Sequence, residues 1–246
     1  MFQPGLAARA DRRKGRAVML HVAAQLQPFM QHIVAEDDQR PLLTLAELLQ
    51  PQRLEALLLN LYGAHLMPQQ RDVLVSQWAK YGFMLVIPPL LVASITQDWH
   101  WPLGLERVAV ALDERGIPTG VKFLAAGAVL AAPGGDPLQC FADLLDDLLT
   151  PLVNALSAYG GVPRTVLWSS VGEALEHCLI RLDAPLAEKG WPLLSQRLKA
   201  DGRRNPLYQT IVYTPRRQRR SCCLSHRVEW VGRCEYCPLP TGSKPP

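Results

Sequence analysis

The sequence predicts an α+β protein in which a helix-rich N-terminal half packs with a small antiparallel sheet and a C-terminal cysteine tail follows. Three observations carry that prediction. Apolar residues recur at three- and four-residue spacing from Leu42 to Leu85, the texture turns β-like after Trp101, and four of the six cysteines fall within sixteen residues near the C-terminus. Strands and helices do not alternate in the regular βαβ order of a parallel nucleotide-binding sheet.

Taken in order, residues 1–16 are expected to be a disordered arm and residues 17–215 one α+β domain, helical to about 100 and mixed from about 101. Residues 216–240 form the cysteine tail and 241–246 a flexible C-terminus. The run Ala17 to Ala24 follows Arg12, Arg13, Lys14 and Arg16 as a signal peptide would. It is short, contains His21 and lacks a small-residue cleavage site, so it reads as the start of an amphipathic helix with Leu20, Ala23, Ala24 and Gln27 at helical spacing.

Leu45, Leu48, Leu49, Leu54, Leu57, Leu58 and Leu61 describe helical packing faces between Leu42 and Leu61, with Pro51 opening a second helix. A further helix runs from Pro68 to about Leu85. Phe83 to Ile95 is a buried core segment, too short to span a bilayer and interrupted by Pro88 and Pro89. Arg107 to Leu112 and Val121 to Leu124, joined by the turn residues of Asp113 to Gly120, read as a β-hairpin. The Pro- and Gly-rich tract Ala131 to Pro137 is a loop, Leu138 to Tyr159 a helix, and Gly160, Gly161 and Pro163 its stop signal. Thr165 to Trp168 reads as a strand, Val171 to Leu182 and Pro192 to Lys199 as helices, and Gln209 to Tyr213 as a last strand.

Composition narrows the function. With 246 residues, 48% of them apolar, the chain can bury a real core, which excludes collagen-like, disordered and disulfide-scaffold classes. A formal charge of +4 is too mild to argue for a nucleic-acid partner, and within the folded part the basic residues cluster beside the cysteines.

Those cysteines, Cys222, Cys223, Cys234 and Cys237, are spaced Cys-Cys, ten residues, Cys, two residues, Cys. A C-x-x-C turn lets two sulfurs converge on one metal, in zinc and iron sites alike. Adjacent Cys222 and Cys223 would point to opposite faces of an extended strand, so the chain must turn there or each must bind a different metal. Zinc ribbons use two C-x-x-C knuckles, so the dicysteine argues against zinc without deciding the matter. Paired disulfides in an exported protein are a third alternative.

The tail Arg219-Arg220-Ser221-Cys222-Cys223, with Cys234-Glu235-Tyr236-Cys237 after it, resembles that of FhuF-type ferric-siderophore reductases. So do Ser76-Gln77-Trp78, Ile87-Pro88-Pro89-Leu90, Leu167-Trp168-Ser169-Ser170 with Gly172, and Asn205-Pro206-Leu207-Tyr208, which occur in that family's order. The likeness covers roughly Gln77 to Pro238. It implies a [2Fe–2S] cluster on all four tail cysteines and one-electron reduction of Fe(III) in an imported hydroxamate siderophore. Hard oxygen chelators grip Fe(III) far more tightly than Fe(II), so one electron releases the metal and spares the chelator. It also implies a cytoplasmic protein working beside the inner face of the membrane where siderophores enter.

Local charge points the same way, because Arg216, Arg217, Arg219 and Arg220 precede the first cysteines and Arg233 the third. One guanidinium at roughly 6 Å, with an effective dielectric near 20, favours an added electron by about 3 kcal/mol, on the order of 100 mV. Trp168 and Ser169, at the end of the expected strand, are candidates to line the cluster or substrate pocket.

Cys140 and Cys178 read as small hydrophobes in helices, and His226, whose imidazole could replace one thiolate, as unneeded beside four cysteines. His177 with Glu173 and Glu176, and the set Asp143, Asp146 and Asp147, read as solvated helix faces. With no G-x-G-x-x-G fingerprint and no P-loop, electrons are expected from an unidentified donor protein or reductant. The second reading, from another class, is a structural zinc module whose basic tail binds a partner.

Overall fold

The computed structural model describes residues 27–240 except 36, 98, 101, 126–127, 130–135 and 229–230. The expected arm, the helix from Ala17, Trp101, most of the Ala131 to Pro137 loop and the C-terminus therefore lie outside the described residues.

Strand β1 (Leu42–Thr44) occupies residues expected to begin a helix. It pairs antiparallel with β3 (Val108–Leu112), and the helix waits for a cap. Thr44 supplies one: its hydroxyl accepts from Glu47 N at 3.1 Å while the Glu47 carboxylate accepts from Thr44 N at 2.9 Å, starting α1 (Leu45–Leu48). Pro51 opens α2 (Pro51–Tyr62) as expected, with Leu54, Leu57 and Leu58 facing the core.

Helix α3 (Met67–Gln97), kinked at Gln70, is the main correction to the N-terminal half, because it continues through Pro88 and Pro89. Each interior proline costs about 3 kcal/mol in an isolated helix. Ile87, Leu90, Leu91 and Val92 around them are all 0% exposed, and full burial of such side chains is worth about 1.5–3 kcal/mol apiece. Packing therefore outweighs the breaker. The helix is long and apolar enough to cross a membrane by length and composition, yet 78% of its most apolar stretch is buried inside the fold, as a core helix requires.

The expected hairpin is present as β3 (Val108–Leu112) and β4 (Pro118–Phe123), antiparallel, in the sheet order β1-β3-β4. Asp113 turns it by accepting from Arg115 N and Ile117 N at 2.9 and 2.8 Å. A separate antiparallel pair joins β2 (Trp99–His100) to β5 (Ala128–Val129).

The helix expected over Leu138 to Tyr159 is instead three pieces: a 3₁₀ turn Gln139–Phe141, a π-helical stretch Asp143–Leu149 and α4 (Thr150–Gly160). Pro151 brings no N–H to the ladder, and the wide turn before it is completed by Thr150, whose N–H and hydroxyl both donate to Leu145 O. Gly161, at φ 66°, stops the helix where the glycines foretold it.

The strand expected over Thr165 to Trp168 is the first turn of α5 (Arg164–Leu179). Thirteen of its sixteen residues are buried, and a short apolar run covered on all sides has no periodicity to separate helix from strand. Helix α6 (Ala184–Gly190) follows, then α7 (Pro192–Ser195), much shorter than the helix expected there. It ends because Asn205 Nδ2 donates to Leu193 O and Gln196 O at 2.9 and 2.8 Å. The last expected strand shrinks to β6 (Ile211–Val212), which pairs with β7 (Gln218–Arg219) in the tail itself.

Among the described helices, α3 and α5 pack against each other most extensively, and this pair is the platform on which the cysteine tail lies.

Candidate metal centre

The tail is fixed to both helices of the platform. Ser76 Oγ and Gln77 Nε2, buried on α3, both donate to the carbonyl of Cys223, at 2.9 and 2.8 Å. On α5, Ser169 Oγ accepts from Ser221 N at 3.2 Å. The two cysteine limbs are joined by Arg219 N donating to Tyr236 O at 2.8 Å. Leu224, at φ 66°, makes a turn directly after the dicysteine, one of the two arrangements that the adjacent thiols left open, and Cys237 N donating to Cys234 O at 3.2 Å closes the C-x-x-C turn.

None of the six cysteines is in a disulfide. Cys223 is the hub of the tail thiols: hydrogen bonds from the Cys222 and Cys234 thiols, with smaller help from Ser225 and the Arg219 guanidinium, hold it far below the usual thiol range. The same bonds raise Cys222 and Cys234, and desolvation adds to both. Cys237 acts electrostatically on Cys222. Leu224 N lies 3.3 Å from Cys222 Sγ, placed to donate to it, and His226 Nδ1 is 3.4 Å from the same sulfur. Among the described residues no three His, Cys, Asp or Glu side chains surround one point as the ligands of a single ion do. A two-iron core asks for something different, two thiolates at each end of a cluster.

The structure separates the arginines that the sequence grouped. Arg219 is 0% exposed, with Nη1 2.5 Å from Glu173 Oε2, Nη2 donating to Ser170 Oγ at 2.7 Å and Val166 O at 3.2 Å, and Nε donating to Ser221 O at 3.2 Å. Lys80 completes the group at 3.2 Å from the other Glu173 oxygen. Arg217 clasps the buried Glu176 through both Nε and Nη2. Its guanidinium also lies 3.7 Å from the Tyr236 ring centroid, inside the C-x-x-C turn. Tyr213 OH donates to the same carboxylate at 2.7 Å. Glu173 and Glu176 are thus not a solvated face but the anchors of the tail. Their partners lie 46 and 41 residues away, a distance at which only complementary charge hints at pairing.

Arg220 points elsewhere. With Trp168, Ser169 and Ser221 it lines a cleft of about 290 Å³, whose other walls include Arg164, Arg204 and Tyr208. Trp168 and Ser169 therefore do flank the tail, from a helix rather than a strand. Cys178 is buried within α5, and burial pushes its thiol up to about 12. Cys140 donates to Pro137 O at 3.4 Å. Neither contributes to the tail.

A family model described as "Ferric iron reductase FhuF-like transporter" matches residues 76–221, and a second, "FhuF 2Fe-2S C-terminal domain", matches residues 219–239. Over 217 residues the chain is 28% identical to a ferric siderophore reductase of Escherichia coli (strain K12), a match covering 82% of each chain. The second model spans all four tail cysteines, and the cofactor is accordingly a [2Fe–2S] cluster rather than zinc.

Proposed function

The chain belongs to the FhuF-like ferric iron reductase family, and on that premise we propose that it reduces Fe(III) held by a siderophore, with Cys222, Cys223, Cys234 and Cys237 as the cluster ligands. The observation that carries this reading is the cysteine tail fixed on the α3–α5 platform, with the Cys223 carbonyl held by Ser76 and Gln77, Ser221 N by Ser169, and the two cysteine limbs joined by Arg219 N donating to Tyr236 O. The donor set suits the group: four cysteines, with a carbonyl tied down at the dicysteine by two buried donors.

When bound, the cluster supplies a one-electron couple. The residues around it set its surroundings. The Leu224 amide at Cys222 and the Ser225 hydroxyl 3.3 Å from Cys223 Sγ are placed to donate to thiolate sulfur, which withdraws charge and favours the reduced form. The Arg217 and Arg219 ion pairs hold the two limbs in place while offsetting most of their own charge.

The reading extends to a chelate whose iron is gripped by hydroxamate oxygens, to release of Fe(II) in the cytoplasm beside the inner face of the membrane, and to an external donor protein or reductant. The test is optical and direct. Purified protein should be red-brown, bleach on reduction with dithionite, and recover its colour on mixing with a ferric hydroxamate while an Fe(II) trap develops. Cys223→Ser and Cys237→Ser should each lose the visible bands. A colourless protein with stoichiometric zinc would sink the reading.

A further inference from the structure

The cleft beside the tail is built as a receptor for negative charge. Arg164, Arg204 and Arg220 are exposed on its walls, no acidic side chain lines it, and none of the three forms an ion pair among the described residues. Arg203, Arg217, Arg219 and Arg227, by contrast, each hold a carboxylate. Arg164 is also the first residue of α5, whose helix dipole adds positive potential at that end.

The walls are shaped for this. Asn205, 2% exposed, spends both amide protons on Leu193 O and Gln196 O and accepts from Leu207 N at 3.0 Å, which pins the loop bearing Arg204 and Tyr208. Trp168 and Tyr208 supply flat apolar surface between the guanidinium groups. Ser221 lies on the cleft wall and immediately precedes Cys222, so the wall is one residue, about 3.8 Å between Cα atoms, from a proposed cluster ligand.

We propose that this cleft seats the ferric chelate and selects chelates of net negative charge, such as a hydroxamate chelator that also carries free carboxylates. The inference rests on the reductase reading and deepens it. The electron balance is simple: one electron leaves the reduced protein, Fe(III) becomes Fe(II), and no bond within the chelator is broken.

Gallium(III) complexes test the cleft without any redox step. Calorimetric titration of the intact protein with the Ga(III) complex of a net-neutral trihydroxamate and with that of a carboxylate-bearing citrate dihydroxamate should give affinity about tenfold or more higher for the anionic one. The gap should shrink as salt rises from about 0.05 to about 0.5 M. Arg204→Gln and Arg220→Gln should each weaken the anionic complex about tenfold, leave the neutral one within about twofold, and keep the visible spectrum. Arg204→Lys should restore part of the loss. Equal affinity for the two complexes, or arginine variants that bind the anionic one normally, would overturn the proposal. Should Arg220→Gln disturb the neighbouring cluster, Arg204→Gln alone decides. The two readings fail separately: protein that binds the anionic gallium complex but reduces no ferric chelate refutes the reductase and keeps the cleft, whereas reduction without charge preference does the reverse.

Discussion

Arg219 and Glu173 form an ion pair inside the protein, Nη1 to Oε2 at 2.5 Å, with the guanidinium wholly shielded from solvent and Lys80 on the far side of the carboxylate. Removing Arg219 leaves Glu173 to Lys80 alone, and breaking a buried pair costs up to about 3–5 kcal/mol. Arg219→Met should therefore lower the denaturation midpoint sharply, and Arg219→Met with Glu173→Leu should recover most of the loss. Urea titration of the three proteins decides it; a single variant within about 1 kcal/mol of the parent would show that the pair is not the anchor.

The Cys223 carbonyl takes two buried donors, Ser76 Oγ and Gln77 Nε2. Ser76→Ala or Gln77→Leu removes one and should cost about 1 kcal/mol. The sharper effect is expected on the cluster, because that carbonyl fixes the turn carrying Cys222 and Cys223. Visible absorbance followed in the presence of a chelator should decay faster in both variants than in the parent, and fastest in the double variant.

Gly172 lets α5 touch the segment before β6. A Cβ there would lie 2.0 Å from Thr210 Oγ1 and 2.8 Å from Thr210 Cβ, and Thr210 is itself held by its hydroxyl donating to Leu207 O at 2.9 Å. Gly172→Ala should destabilise by about 1–3 kcal/mol through overpacking, and Thr210→Ala added to it should return part of that. A thermal melt of Gly172→Ala matching the parent would refute the contact.

Cys178 should be inert. Desolvation raises its thiol to about 12 against an offsetting Arg181 charge, so at pH 8 only about one thiol in ten thousand is ionised. In the folded protein iodoacetamide should miss it, and in denaturant label it promptly. The sign for stability follows: the unfolded thiol loses its proton near 9 and the folded one near 12, so the thiol's contribution is intact below about 9 and falls as pH rises across that window.

Elements written in local chemistry were legible. The hairpin, the helix opened by Pro51 and the stop at Gly161 each rest on a few neighbouring residues with fixed backbone preferences. The misreadings share one cause. Pro88 and Pro89 argued for a break, and Thr165 to Trp168 for a strand, until burial on every side overrode both. The site divides in the same way. Cysteine spacing is local and marked the tail, whereas the Glu173 and Glu176 partnerships are tertiary and turned two arginines that looked like free charge into fixed struts. Arg164 and Arg204, far apart in sequence, meet at the cleft only because α5 and the loop pinned by Asn205 are folded together.

The hydrogen bonds to the Cys223 carbonyl span 147 residues from Ser76 and 146 from Gln77. During synthesis, at about 5–20 residues per second, roughly 7–30 s separate the translation of these anchors from that of the cysteine they hold. Helix formation takes microseconds, and α5 too is translated before the dicysteine. The cradle can thus be assembled before the thiols emerge, so that newly made cysteines meet a finished scaffold and iron–sulfur loading becomes a late event in the protein's biogenesis.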